Sequence, residues 1–343
     1  MFNEGKLGPK DPQYLYKLHK ALGNYEKAFE SYYKSVEIGR KIGNKKFEAI
    51  SLGNIGVLHH IRGEMDKALE AYTQALEIAK SIGSKQTQTL YLGNVATIYK
   101  RKGEKDRALK SYQDLYALTV QMGYHRGTVL ALSNMGSWYQ DNGEFEKAFT
   151  QYDQALEIAN KYNFKDRIAM IMINGGLVFH YQNKLEKAKT TLEKAIEKSV
   201  DVNSKPMEDY ARRYLGFVLI DLDEGEGAKK QFELACEIAE AGGSKTSCAS
   251  CKIGFGLIEM IDGKGRETLD EGIAESRKLG DAEVIIKGMI GLARQLMKEK
   301  TTAWEALETL KNARVVAETG GYLCDFAIID PLIEQLEKKM INK

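Results

Sequence analysis

The chain has 343 residues, 50 Lys and Arg against 48 Asp and Glu, and a formal charge of +2, so no global basic field draws it to nucleic acid and no acidic tail is present. Only four Pro interrupt a sequence rich in Ala, Leu, Glu, Lys, Ile and Tyr, and no stretch shows sustained strand-type alternation, which excludes β architectures and predicts an all-α chain. A globular chain this long is expected to split into two or three domains, but a repeat array grows linearly and needs no split.

Residues 1–11 form a lead with no apolar stretch after the charges of Met1–Lys6, so no secretory signal is predicted. The longest uncharged run, Ile168 to Gln182, is too short to span a bilayer and reads as one buried helix. The four cysteines, Cys236, Cys248, Cys251 and Cys324, suit a reducing compartment, and the expected location is cytoplasmic.

From about Pro12 onward the sequence repeats every forty residues. Leu52-Gly53-Asn54-Ile55-Gly56 returns as Leu92-Gly93-Asn94-Val95-Ala96, as Leu132-Ser133-Asn134-Met135-Gly136 and as Met172-Ile173-Asn174-Gly175-Gly176. A fixed period in this range marks a solenoid, in which each repeat is one supersecondary element and neighbours share a core. Repeats are expected near 12–42, 43–82, 83–122, 123–162, 163–202, 203–242, 243–280 and 281–318, followed by a capping helix over 322–343.

Within each repeat a turn glycine and an acidic residue precede the second helix, as in Gly63-Glu64 and Gly143-Glu144, where glycine ends one helix and the carboxylate suits the positive end of the next. Ala recurs at Ala28, Ala68, Ala108, Ala148, Ala188 and Ala228. A large residue follows four later, from Tyr32 and Tyr72 to Phe232, and a third position lies three further on. Offsets of four and seven place these on one helical stripe. In the first helix a small residue recurs at Gly56, Ala96, Gly136, Gly176, Gly216 and Gly256. Mid-helix glycine costs roughly 1 kcal/mol relative to alanine, so its recurrence predicts close helix approach. Repeats are joined at Gly43-Asn44, Gly83-Ser84, Gly123-Tyr124 and Gly243-Ser244, where Asn or Ser can cap the next helix.

These small, aromatic and Ala positions resemble the tetratricopeptide repeat (TPR) family. The likeness is strong from Asn44 to about Ser199 and weak around Gly263 to Ser276, where Thr268 and Gly272 replace the expected Ala and aromatic. The forty-residue period is similar to the subtype found in kinesin light chains, G-protein-signalling modulators and bacterial peptide sensors. The resemblance implies an α-solenoid of about eight antiparallel helix pairs forming a right-handed superhelix with a concave groove. It also implies that the asparagines of the first-helix face bind target peptide backbone.

The residues themselves point the same way. On a helical wheel with Leu52, Ile55, Gly56 and His59 as the core stripe, Asn54 falls nearly opposite, and four successive repeats carry Asn there although it is a mediocre helix former. An amide both donates and accepts, which is what an extended peptide backbone requires. The alternative is that Asn54, Asn94, Asn134 and Asn174 hydrogen-bond to one another and stiffen the array. The candidate groove adds His60, Lys100 and Arg101, with Lys17 and Lys20, as a basic early part, then Arg213 and the apolar Tyr181, Tyr214 and Phe217. A protein or peptide ligand with acidic and apolar residues matches this surface, with inter-helix packing as the other reading of the aromatics.

No catalytic residues, metal or cofactor are predicted. Cys248-Ala-Ser-Cys251 lacks a second ligand pair and reads as packing thiols, as do His59 and His19 at the aromatic position. The run Asp221 to Glu226 lacks a calcium loop's third oxygen ligand and its glycine, and coincides with a turn between helices. Gly263-Lys264 has Ile258 where a phosphate loop needs its first glycine. The expected function is therefore a non-enzymatic scaffold or adaptor. A peptide-sensing regulatory subunit and a self-assembling array are the alternatives. Neither nucleic acid nor membrane is expected as a partner, and the chain reads as a monomer or a weak homo-oligomer through the array ends.

Overall fold

The computed structural model describes residues 25–298 and 302–341, and all of their regular structure is helical. Helix α1 (Tyr25–Lys41) is followed by α2 (Lys45–Ile61), α3 (Met65–Ser81), α4 (Lys85–Arg101), α5 (Lys105–Gln121), α6 (His125–Asp141), α7 (Phe145–Lys161) and α8 (Lys165–Tyr181). The chain continues with α9 (Leu185–Asp201), α10 (Lys205–Asp221), α11 (Gly225–Gly242), α12 (Lys245–Ile261), α13 (Arg266–Leu279), α14 (Ala282–Lys298) and α15 (Ala303–Gly320). A 3-10 turn (Leu323–Asp325) and α16 (Phe326–Ile341) close it. The helix expected over Pro12 to Leu22, with Lys17, His19 and Lys20, lies outside the described residues.

The connections explain why the period is so regular. After α2, the Gly63 amide donates to the His60 carbonyl at 3.0 Å and the Glu64 amide to the His59 carbonyl at 2.9 Å, with Gly63 at φ 76°. This is the paired-bond helix stop that a left-handed residue makes possible. The same stop recurs through the array, with Asn163, Asn183, Asn203 and Asp223 supplying the left-handed residue where glycine is missing. Asn44 caps α2 by accepting from the Phe47 amide at 3.0 Å, and Ser244 caps α12 through Ser247. The Ser84 hydroxyl instead pairs with that of Thr87.

The chain divides into two compact blocks, Met1–Ala131 and Leu132–Lys343. In the N-terminal block each helix packs on the next from α1 to α5, around Tyr32, Leu58, Tyr72 and Ile98. First helices of successive pairs also meet. The Tyr91 ring of α4 lies over Gly53 of α2, where a Cβ would fall 2.2 Å from the ring, and its hydroxyl donates to the Ala49 carbonyl at 2.9 Å. Tyr91→Phe is expected to lower the unfolding free energy by about 1 kcal/mol, read from the urea midpoint. An unchanged midpoint would show that the bond adds nothing to the seam.

In the C-terminal block the pairs α8 with α9, α10 with α11, α12 with α13 and α14 with α15 pack in sequence, and α8, α10, α12 and α14 lie side by side. The recurrent small residue is where each pair closes. A Cβ on Gly136, Gly176 or Gly216 would stand 2.5, 2.7 and 2.6 Å from the side chains of Tyr152, Leu192 and Phe232. The irregular repeat keeps the architecture by another route. Gly256 and Gly272 let the backbones of α12 and α13 approach, so glycine does there what an aromatic against a small residue does elsewhere.

Candidate functional site

The face to consider is the side of each first helix turned away from its own partner helix. In the N-terminal block it carries Asn54 on α2 and Asn94 on α4, both half-buried. Among the described residues no side-chain hydrogen bond is made by the amide of Asn54, Asn94 or Asn134. Asn174 differs, since its side chain lies near the Tyr152 hydroxyl, which donates to Gln140 Oε1 at 3.1 Å. No asparagine of the ladder bonds to another among the described residues. At the ends of α2 and α4 the structure brings two further predicted residues, His60 and Arg101, near each other. His60 is half-buried, and burial first and then the charge of Arg101 hold its imidazole below the ordinary range, so it is neutral at pH 7. Arg101 is exposed and Lys100 half-buried.

In the C-terminal block the structure departs from the sequence reading. Tyr181, Tyr214, Phe217 and Arg213, expected to line an open groove, are buried. Phe217 meets Phe232 edge-on at 5.2 Å, and the Tyr214 hydroxyl donates to Glu283. Arg213 pairs with Asp209 at 3.1 Å, and Asp209 also accepts from the Ser247 hydroxyl at 2.8 Å. The physical reason is long-range. Helix α14 and the 3-10 turn lie against this surface, and a wheel drawn on α8 or α10 alone does not contain them.

What these segments create is a polar centre that sequence reasoning missed. A cavity of about 30 Å³ is bounded by His180 of α8, Asp221 of α10, Lys287 and Arg294 of α14, and Asp325 and Ile328. His180 Nε2 lies 2.6 Å from Asp221, which also bonds Arg294. Burial holds His180 below its ordinary pKa, so the neutral ring donates Nε2–H and its Nδ1 is left as a buried acceptor without a partner. Burial alone would raise the Asp221 carboxyl, yet His180 and Arg294 hold it down to about 2. The Lys287 ammonium sits 4.7 Å from the Tyr214 ring centroid and 5.3 Å from that of Tyr181, over both faces. Burial pushes Asp325 up to about 7, and its Oδ1 is also without a partner. One signal was visible in the sequence: Lys287 interrupts the otherwise apolar run Val284-Ile285-Ile286-Lys287-Gly288-Met289-Ile290.

The family profile described as tetratricopeptide repeat matches residues 17–81, 92–123 and 127–198, the region carrying the small, aromatic and Ala positions that close each helix pair. The chain is a tetratricopeptide repeat protein. No protein of curated function matches it in sequence. Solved structures share the TPR fold at low identity. Aspartyl phosphate phosphatase F from Bacillus subtilis is 13% identical over 82% of this chain and 73% of its own, with a TM-score of 0.70. The Rap conjugation gene regulator of plasmid pLS20, solved in complex with the Phr* peptide, is 17% identical over 80% and 74%, with a TM-score of 0.67. The apo quorum sensor NprR from B. thuringiensis is 14% identical over 89% and 87%, with a TM-score of 0.64.

Burial raises the thiols of Cys248 and Cys251, and that of Cys236 to about 11, which leaves them protonated and un-nucleophilic at pH 7. The calcium-like run is committed elsewhere: Asp221 to His180 and Arg294, and Asp223 to Lys298. Among the described residues no group of three or more His, Cys, Asp or Glu side chains is placed to hold a metal ion, and no helix is long and apolar enough to cross a membrane.

Proposed function

We propose that this TPR protein is a cytoplasmic, non-enzymatic binding protein that holds an extended peptide segment of a partner on its first-helix face, with the asparagine ladder gripping the peptide backbone. The observation that carries this reading is the state of Asn54, Asn94 and Asn134, which are half-buried, solvent-reaching and uncommitted to any internal hydrogen bond. Water can satisfy such an amide in the free protein, and its donor and acceptor then stay available to an extended backbone. The exposed Arg101, beside neutral His60 and with Lys100, favours an acidic residue near that end of the ligand. Asn174, near the Tyr152 hydroxyl, is the weakest member of the ladder. A peptide-sensing role is supported by the fold shared with a regulator solved with a bound peptide and with a quorum sensor.

The test is a random-peptide selection on the wild-type chain, repeated on Asn54→Leu combined with Asn94→Leu. Two backbone-directed amides at about 1–1.5 kcal/mol each predict a loss of affinity of roughly 30- to 150-fold, with helix content by circular dichroism unchanged. Peptides that bind the double variant as well as the wild type, or a collapse of helix content on substitution, would overturn the reading.

A further inference from the structure

The C-terminal segment does more than a solenoid cap requires. A cap covers the exposed side of the last helix pair, and α16 does so: Arg314 of α15 pairs with Asp330 at 2.9 Å and stacks over Phe326 at 4.4 Å, while Leu336 is buried. The turn leading into α16 reaches a different surface. Cys324 and Asp325 are each 1% exposed. The Cys324 thiol lies near Tyr181 of α8 and donates to Oδ2 of Asp325 at 4.0 Å, and Asp325 and Ile328 face Phe217 of α10 and Ile290 of α14 across the small cavity. These are first-helix residues from repeats as far back as the fifth, and they include Tyr181 and Phe217, which the sequence assigned to an open groove.

The fit is also electrostatically incomplete. Asp325 is buried with one oxygen unbonded, Lys287 makes no ion pair among the described residues and rests on two rings, and His180 Nδ1 has no donor. A segment selected only for stability would place an apolar residue here, because a buried ionisable group with an unmet hydrogen bond is costly. A segment that must leave is served by such a defect.

We propose that residues Tyr322–Ile329 are an internal stand-in for a partner peptide, docked on the first-helix face of the C-terminal block and exchangeable with a ligand that carries an acidic residue and, three positions on, a branched apolar one. The proposal rests on the peptide-binding reading above and specifies its ligand: Asp325 and Ile328 mark where the partner's two side chains go, and Lys287 is the cation that an incoming carboxylate meets. Docking is sensitive to pH. The groups around Asp325 are Lys287, Glu283 and Arg294 of α14, Asp141 of α6, His180 and Tyr181 of α8, and Asp221 of α10. Burial first, then Glu283 and Asp141, push its carboxyl up, while Lys287 pulls it down. A carboxyl near 3.8 when free and near 7 when docked stabilises docking fully below pH 4, and the stabilisation is lost as the pH rises through 7. The occupant is therefore held in acid and loosened in mild base.

Cys324 reports the exchange in the full-length chain. Its alkylation by N-ethylmaleimide is followed by peptide mass spectrometry and divided by its rate in the urea-unfolded chain at the same pH, which removes the thiol's own ionisation. In the wild type this ratio is expected to rise roughly tenfold or more between pH 5.5 and 8, and in Asp325→Asn to stay low and flat. A peptide selected on the wild-type chain should raise it at least tenfold at saturation and bind Asp325→Asn more weakly than wild type at pH 8. A selected peptide that binds while Cys324 remains as protected as before overturns the exchange and leaves the peptide-binding reading standing. A ratio that does not change with pH overturns the docking argument on its own. Selection that yields no peptide removes both readings, and the two failures are thereby told apart.

Discussion

Asp221→Ala is expected to lower the stability of the C-terminal block by about 3 kcal/mol at pH 7, because it leaves Arg294 and His180 facing a buried space without the carboxylate that joins them. The side chain of Asp221 is 10% exposed, so solvent does not stand in for the lost partner. The effect has a defined pH window. A carboxyl at about 2 in the folded chain and 3.8 in its ordinary state contributes stability that is complete above pH 4 and lost as the pH falls through 2. Urea titrations at pH 7 and pH 3 should therefore show a wide gap between wild type and variant that narrows in acid. Equal midpoints at pH 7 would mean that the His180–Asp221–Arg294 cluster gives the fold no net support.

The second large effect is expected at Gly256. Alanine there places a Cβ 2.5 Å from the Leu269 amide nitrogen and 2.7 Å from its Cα, and backbone cannot swing aside as the tip of a side chain can. Overpacking of this kind costs about 1–3 kcal/mol, more than the roughly 1 kcal/mol that alanine gains in helix propensity. Gly175→Ala is the matched control, since an added Cβ meets nothing within 4 Å, and it should be neutral or stabilising by up to about 1 kcal/mol. Thermal melts of the two variants beside wild type give opposite signs if close approach is the reason for the glycine. Destabilisation of both by the same amount would point to backbone flexibility instead.

The two glycines show where sequence reading succeeds and stops. Gly256 lies on the recurrent small position, and its need for close contact follows from a period that any window of the sequence contains. Gly272 reads as a departure from the pattern, yet it is the partner that lets α12 and α13 touch, a fact visible only when both helices are placed. The candidate site divides in the same way. Asn54, Asn94 and Asn134 stay half-buried on the face that the wheel of a single helix predicts, and among the described residues no hydrogen bond ties their side chains to a distant segment. For Tyr181, Tyr214 and Phe217 the same wheel misleads, because residues of α14 and of the turn before α16, about seventy or more positions later, close over them.

By itself the sequence determined the forty-residue period, the helix pairs, the left-handed stops between them and the seams of small against large residues. All of these depend on steric and hydrogen-bonding rules that act within one or two turns of chain. The tertiary structure alone decided which part of the first-helix face stays open, and it assembled His180, Asp221, Lys287, Arg294 and Asp325 around one cavity. Burial and electrostatic environment are set by what folds against a residue from elsewhere in the chain, and no local pattern carries that information.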